Sequence, residues 1–122
     1  MDSHAALAYA LAKPGAWPDS PWGENHDLAK VGNKIFLFPG LGDHGGGAGV
    51  STITVKNTTG AVEELKSRYP EAAGPAPYLN KQLWVRLVID QVPDDEVREL
   101  IDDSYDLVVA TLPKSQRPQP PG

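Results

Sequence analysis

The sequence predicts an α+β fold, a two-layer domain in which an antiparallel sheet carries its helices on one face. Its 122 residues are enough to form one hydrophobic core. The spacing of apolar residues changes along the chain between helical and alternating, which gives the order helix, strands, helix, strand, helix. The connections between these elements are short, as in domains built on an antiparallel sheet.

A short helix and a loop are expected at the start of the chain. Ser3 is suited to cap a helix over residues 4–12, and Pro14 with Gly15 ends it. Residues 16–27 are rich in Pro, Gly, Asp and Asn, a composition that favours a structured loop over a strand. The sheet is therefore expected to begin after residue 27.

A tight β-hairpin is predicted next. Residues 28–31 and 34–38 are mostly apolar, and Gly32 and Asn33 between them accept the positive φ angles that such a turn needs. In residues 50–56, apolar residues alternate with threonine, which is the pattern of a half-buried strand. These segments predict three strands of the sheet.

The second half of the chain predicts two helices and one more strand. Residues 61–69 have helical spacing, residues 71–77 read as an irregular connector, and residues 81–90 alternate. A helix over residues 93–111 begins with a proline and acidic residues, both favourable in a first turn. The centre of the only core is expected to lie between that strand and that helix, at Val85, Leu87, Ile89, Val97, Leu100, Ile101 and Val108.

Composition limits the class of protein. One domain is expected over residues 1–114, followed by a disordered proline-rich tail over residues 115–122. The chain has no cysteine, which excludes a disulfide framework, a thiolate metal site and a cysteine nucleophile. Apolar runs are too short to span a bilayer, and the first residues lack the basic segment of a signal peptide. The sequence thus predicts a cytoplasmic protein with no membrane partner.

Charge is unevenly distributed. The formal net charge is -5, which by itself argues against a nucleic-acid partner. Residues 93–106, however, hold seven carboxylates and a single arginine, and this segment accounts for the whole deficit. Residues 30–86 hold seven basic and four acidic side chains, so the middle of the chain is mildly basic.

Three patterns typical of phosphate-binding, metal and nucleophile sites are not supported by the residues around them. Residues 40–45 read GLGDHG, a phosphate-binding pattern, but a strand rather than a helix is expected after them. His4, His26 and His44 have no spacing that would place two of them on one helix face around a metal. A nucleophile elbow of the form G-x-S-x-G is also missing from the sequence. We therefore expect no catalytic residue, no metal, no cofactor and no enzymatic activity.

The sheet face that points away from the core is the stronger functional signal. Alternation places Lys56 on this face with Trp84 and Arg86 of another strand, and Lys81 lies near the start of that strand. Aromatic and basic groups on one surface suit base stacking combined with phosphate contacts. The alternative is that Trp84 packs beneath a loop or helix of the same domain.

Several segments, in matching order and spacing, resemble the MmcQ/YjbR family. They are residues 21–38 (PWGENHDLAKVGNKIFLF), 51–56 (STITVK), 65–70 (LKSRYP), 78–90 (YLNKQLWVRLVID) and 92–114 (VPDDEVRELIDDSYDLVVATLPK). The similarity covers nearly the whole chain up to Lys114. It implies a CyaY/frataxin-like arrangement of the α+β fold.

The resemblance also implies a function, which is DNA binding. Among the side chains that match the family pattern are Trp22, Gly23, His26, Lys30, Lys34, Lys56, Asn80, Lys81, Trp84, Ser104 and Tyr105. From the basic and aromatic residues we expect a nucleic-acid interface made of Lys30, Lys34, Lys56, Lys81, Trp84 and Arg86. The alternative is a non-enzymatic scaffold that binds a protein or a small ligand through Trp84 and the Trp22/His26 loop. The two hypotheses differ in the salt dependence of binding, since only phosphate contacts weaken steeply with ionic strength.

Overall fold

The computed structural model of the chain describes residues 1–20, 27–39, 51–76 and 79–118. It confirms the α+β class. The elements are α1 (Ser3–Leu11), β1 (Ala16–Asp19), β2 (Leu28–Val31), β3 (Lys34–Pro39), β4 (Thr52–Lys56), α2 (Thr59–Arg68), β5 (Ala73–Pro75), β6 (Trp84–Val88) and α3 (Asp94–Ala110). Short 3-10 turns follow β6 at Ile89–Gln91 and α3 at Lys114–Gln116.

The strands of the described residues form one antiparallel sheet in the order β1-β2-β3-β4-β6-β5. The predicted hairpin is confirmed as β2 and β3, and Gly32 in its turn has a φ of 60°. Between Ala29 and Lys30 the pairing register shifts, because Ala29 lies opposite Leu37 and Lys30 lies opposite Ile35. Phe36 is therefore the extra residue of a β-bulge.

Both edge strands differ from the sequence prediction. Residues 16–27 were expected to form only a loop, but Ala16–Asp19 pairs with β2. Likewise, Ala73–Pro75 was expected to be irregular and instead pairs with β6. Each strand contains a proline, which lacks a backbone N–H and is tolerated at a sheet edge. Pairing with a neighbouring strand, rather than local propensity, forms both.

The helices agree with the prediction to within a few residues. One correction concerns the start of α1, where Asp2 rather than Ser3 is the cap and its carboxylate accepts the N–H of Ala5 at 2.8 Å. Helices α1 and α3 contact each other and the central strands β3 and β4. The end of α2 is joined to α3, because Glu96 accepts from Arg68 at 2.7 Å and from the Tyr69 hydroxyl at 2.5 Å.

The predicted core is confirmed, since the side chains of Val85, Leu87 and Ile89 belong to one buried cluster with those of α3. The half-buried character expected of β4 is wrong. Thr52 and Thr54 are buried along with Ile53 and Val55, so this strand is covered on both of its faces. Its central place between β3 and β6 explains part of this burial.

The chain after α3 stays in contact with the domain over the part that the structure describes. Arg117 donates from Nε to the carbonyl oxygen of Leu112 at 2.9 Å and from Nη2 to that of Ala110 at 3.2 Å. The predicted boundary between domain and tail at residues 114 and 115 stays a prediction, and residues 119–122 lie outside the described residues. Among the helices described, none has the length and apolar character needed to cross a membrane.

Candidate nucleic-acid interface

The predicted interface is centred where β4 and β6 lie side by side. Lys56 is opposite Trp84, and Thr54 is opposite Arg86. Directly opposed residues of an antiparallel pair place their Cβ atoms about 4.5–5.5 Å apart on one face. The sheet therefore brings Lys56, Trp84 and Arg86 together, as the sequence predicted.

A turn before β6 adds Lys81 to this group. The N–H groups of Leu83 and Trp84 both donate to the Asn80 carbonyl oxygen, and the Asn80 side chain accepts the N–H of Gln82 at 2.8 Å. The N–H of Asn57 donates to the carbonyl oxygen of Leu83 at 2.8 Å, which ties the turn to the end of β4. Lys81 is exposed on a turn of fixed shape.

A further cation, Lys66 of α2, was missed by the sequence analysis. Its Nζ donates to the carbonyl oxygen of Lys81 at 3.4 Å, so its charge lies beside the turn. No signal in the sequence connects these residues, because their proximity depends on how α2 crosses between β4 and β5. We name the group formed by Lys56, Lys66, Lys81, Trp84 and Arg86 the Trp84 surface.

No carboxylate among the described residues compensates the charges of the lysines of this surface. In the part of the chain that the structure describes, Lys56, Lys66 and Lys81 form no ion pair. Arg86 differs from them, because it is half-buried and already has a partner within the protein. Three lysines thus supply most of the accessible positive charge.

Trp84 is half-buried, and its ring meets the ring of Phe38 edge to face with centroids 5.6 Å apart. Phe38 itself is buried, as are Thr52 and Thr54 on the same side of the sheet. The open part of the surface is therefore smaller than the full sheet face that the sequence predicted. It is confined to the end of β4 and the start of β6.

Ser104 of α3 holds this end of β4 from the other side of the sheet. The pairing of β3 with β4 ends at Leu37 and Val55, and the next backbone groups are bridged by the Ser104 hydroxyl. The hydroxyl donates to the carbonyl oxygen of Phe36 at 2.6 Å and accepts the N–H of Lys56 at 2.9 Å. It completes the hydrogen bonding where the strands separate.

Two predicted contact residues lie elsewhere. Lys30 forms an ion pair with Asp19 at 3.0 Å, and its Nζ lies 5.0 Å from the centre of the Trp17 ring. Lys34 donates to the hydroxyl of Thr111 at 3.1 Å, at the end of α3. The structure does not join either side chain to the Trp84 surface.

Other predicted features fall outside the described residues. These are Trp22 and His26 of the scaffold hypothesis and the glycine-rich residues 40–45. Within the described ranges, no group of three or more His, Asp or Glu side chains could hold a metal ion.

Two acidic residues of α3, Glu96 and Asp102, lie in contacts that join helices. Asp102 pairs with Lys13 and accepts from the Tyr9 hydroxyl at 2.8 Å, and that hydrogen bond is the main cause of a raised pKa of Tyr9. The hydrogen bond to Glu96 in the same way raises the pKa of Tyr69. The helix packs on the sheet face opposite Lys56 and Trp84, since its Val97 and Ile101 belong to the core with Val55 and Val85. The strongly negative helix and the side chains of Lys56 and Trp84 are thus on opposite sides of the sheet.

Comparison with known proteins agrees with this architecture. A family model, YjbR, matches residues 11–107. The crystal structure of Deinococcus radiodurans protein DR2400, which has a DUF419 domain, is similar over 94% of this chain and 84% of that protein, with a TM-score of 0.78 and 21% identity. No curated protein matches the sequence.

Two structures from Pseudomonas syringae are also similar. A crystal structure covers 88% of this chain and 98% of that chain, with a TM-score of 0.67 and 23% identity. A solution NMR structure covers 88% and 92%, with a TM-score of 0.65 and 25% identity. These likenesses concern the fold.

Proposed function

The chain belongs to the YjbR family, and from this premise we propose that it is a small non-enzymatic protein that binds single-stranded DNA through the Trp84 surface. The observation that carries the proposal is the placement of Trp84 beside Lys56, Lys66 and Lys81, none of which pairs with a described carboxylate. Lysine side chains neutralise phosphates, and an indole ring stacks on an unpaired base.

The size of the open surface favours a single strand over a duplex. Three accessible lysines allow only a few phosphate contacts, and the half-buried Trp84 can reach a base face only where that base is not stacked in a duplex. A few contacts of this kind give weak binding without sequence preference, with a Kd of about 10⁻⁴ to 10⁻⁶ M at physiological salt.

The test is fluorescence anisotropy with a labelled single-stranded oligonucleotide at about 50 mM salt and above. The double variant Lys66→Gln/Lys81→Gln should bind more weakly and should lower the log-log salt slope by about 0.7 for each phosphate that is no longer neutralised. The matched control is Lys34→Gln/Lys114→Gln, which removes the same charge from exposed positions away from the Trp84 surface.

Two results would reject the proposal. One is an absence of binding by the unsubstituted protein at hundreds of micromolar, and the other is an equal reduction of affinity in both double variants.

Trp84→Ala should cost about 1–3 kcal/mol of single-strand affinity if the ring stacks. Circular dichroism must accompany this variant, because Trp84 also packs against Phe38.

One observation favours the scaffold alternative. The Trp84 ring packs on the buried Phe38, and the Thr54 hydroxyl on this side of the sheet is buried without a described hydrogen-bond partner. A partly enclosed aromatic site with an unpaired polar group suits a small ligand. Binding that is insensitive to salt would support this alternative.

The cytoplasmic location of the protein and the CyaY/frataxin-like arrangement of its fold stay predictions.

A further inference from the structure

A row of accessible side chains crosses the sheet from β6 to β1 on the face that carries Trp84. Trp17 of β1 lies opposite Lys30 of β2, and Lys30 lies opposite Ile35 of β3. On β4 and β6, Lys56 lies opposite Trp84. Each of these residues is exposed or half-buried. We name the row formed by Trp17, Lys30, Ile35, Lys56 and Trp84 the indole strip.

Alternation along the strands places the indole strip on the face away from the helices. Adjacent residues of a strand point to opposite faces of a sheet. The neighbours Val31, Phe36 and Val55 belong to the core that the helices cover. Farther along the strip's own face, Leu28 and Phe38 are buried. The indole strip is therefore accessible where the next positions on the same face are covered.

The Trp17 ring is held in one orientation at the outer end of the indole strip. Its Nε1–H donates to the carbonyl oxygen of Gly32 at 2.9 Å, and the ammonium group of Lys30 lies 5.0 Å from the centre of the ring. Lys30 is paired with Asp19 at 3.0 Å, so it orients the ring and supplies no free charge. Trp17 is still 40% exposed, more than any other large apolar residue that the structure describes. A ring that is already held in place loses little entropy when a ligand stacks on it.

The two indole rings are four strand spacings apart, because β2, β3 and β4 lie between β1 and β6. At about 4.8 Å for each spacing, the separation is about 19 Å. A stacked single strand advances about 3.4 Å for each nucleotide, so about six nucleotides cover this distance, and an extended strand needs fewer. Free positive charge lies near Trp84, at Lys56, Lys66 and Lys81. One end of the indole strip thus suits phosphates, and both ends suit bases.

We propose that Trp17 is a second base-stacking residue and that a single strand of DNA crosses the sheet from Trp84 to Trp17. This inference rests on the proposed function, because the lysines of the Trp84 surface anchor the strand. The outer ring then binds a base about six nucleotides or fewer from the anchored end. Full affinity therefore requires a strand long enough to reach both rings.

The test is an NMR titration of the full ¹⁵N-labelled chain with two oligothymidylates, a dodecamer and a trinucleotide. The variants Trp17→Phe and Trp84→Phe identify the two indole N–H signals. The dodecamer should shift both signals. The trinucleotide, anchored on the lysines, is too short to reach the outer ring, so it should shift the Trp84 signal and leave the Trp17 signal in place.

Substitution measures the contribution of the outer ring. Trp17→Ala should weaken dodecamer binding at least about fivefold, which corresponds to the loss of one weakly stacked base, and should change trinucleotide binding less than about twofold. The log-log salt slope should stay unchanged, because no phosphate contact is lost. Trp17→Phe keeps an aromatic ring and should restore much of the dodecamer affinity. Damage to the fold would instead weaken the binding of both oligonucleotides.

Three results would overturn the inference while leaving the Trp84 surface as a binding site. They are a Trp17 signal that the dodecamer does not shift, a Trp17 signal that the trinucleotide shifts equally, and equal weakening of both oligonucleotides by Trp17→Ala. An absence of shifts at both rings is a different outcome. It would reject DNA binding as a whole, and the role of the indole strip with it.

Discussion

The two faces of the sheet differ in the hydrogen bonding of a buried hydroxyl group. On the helix side, Ser104 is fully buried and its hydroxyl makes hydrogen bonds to two strands. On the other side, Thr54 is equally buried, but its Oγ1 has no hydrogen-bond partner in the described structure. Most buried polar groups in folded proteins form hydrogen bonds, so the helix side has the more complete hydrogen bonding of the two.

The same contrast holds for charge. On the helix side, Glu96 and Asp102 are compensated by arginine, lysine and tyrosine side chains. The other side leaves Lys56 and Lys81 without carboxylates in the described chain. At these positions the helix side uses its charges for contacts within the protein, whereas Lys56 and Lys81 remain available to a ligand.

The largest effect is expected from truncating the helix side of β6. Leu87 is fully buried in the main core, so Leu87→Ala should lower the free energy of unfolding by about 2–5 kcal/mol. Its neighbour Val88 points to the other face and is half-buried, and Val88→Ala should cost less than about 1.5 kcal/mol. Urea denaturation measures both values. Similar destabilisation of the two variants would show that the faces are equally important to stability.

A smaller destabilisation is expected at Ser104. Ser104→Ala removes the hydroxyl that bridges the Phe36 carbonyl oxygen and the Lys56 N–H, and it should cost about 1–3 kcal/mol because these groups are left unpaired. Ser67→Ala on the exposed face of α2 is the control and should change stability by less than about 0.5 kcal/mol. If Ser104→Ala is as mild as this control, the bridge does not stabilise the junction of β3 and β4.

Much of this architecture could be predicted from the sequence, for a physical reason. The β2–β3 hairpin, α2, β6 and α3 depend on local turns and on the spacing of apolar residues, which the sequence displays directly. Strands β1 and β5 depend on pairing with distant segments, and their prolines favour other local structures. The burial of Thr54 was missed for a related reason, because alternation indicates two faces without showing what covers each of them.

The candidate site shows the same limit. The alternation of Lys56, Trp84 and Arg86 could be recognised, and the register of β4 and β6 places these residues together. The hydrogen bond of Lys66 to the turn at Lys81 depends on where α2 lies relative to the sheet, which the sequence does not specify. The positive charge of Lys30 and Lys34 and their match to the family pattern predict contact residues, but each has a partner at another place on the surface.

The smallest expected effect has the opposite sign and concerns Thr54. Replacing it with valine keeps the branched shape and removes a buried hydroxyl that has no described partner, so Thr54→Val should raise the free energy of unfolding by about 1 kcal/mol. Thr54→Ser is the matched control: it keeps the hydroxyl, removes the methyl group and should destabilise the protein. Chemical denaturation of both variants measures the difference. A decrease of stability in Thr54→Val would mean that this hydroxyl is satisfied in solution, and the two faces of the sheet would then treat their buried hydroxyl groups alike.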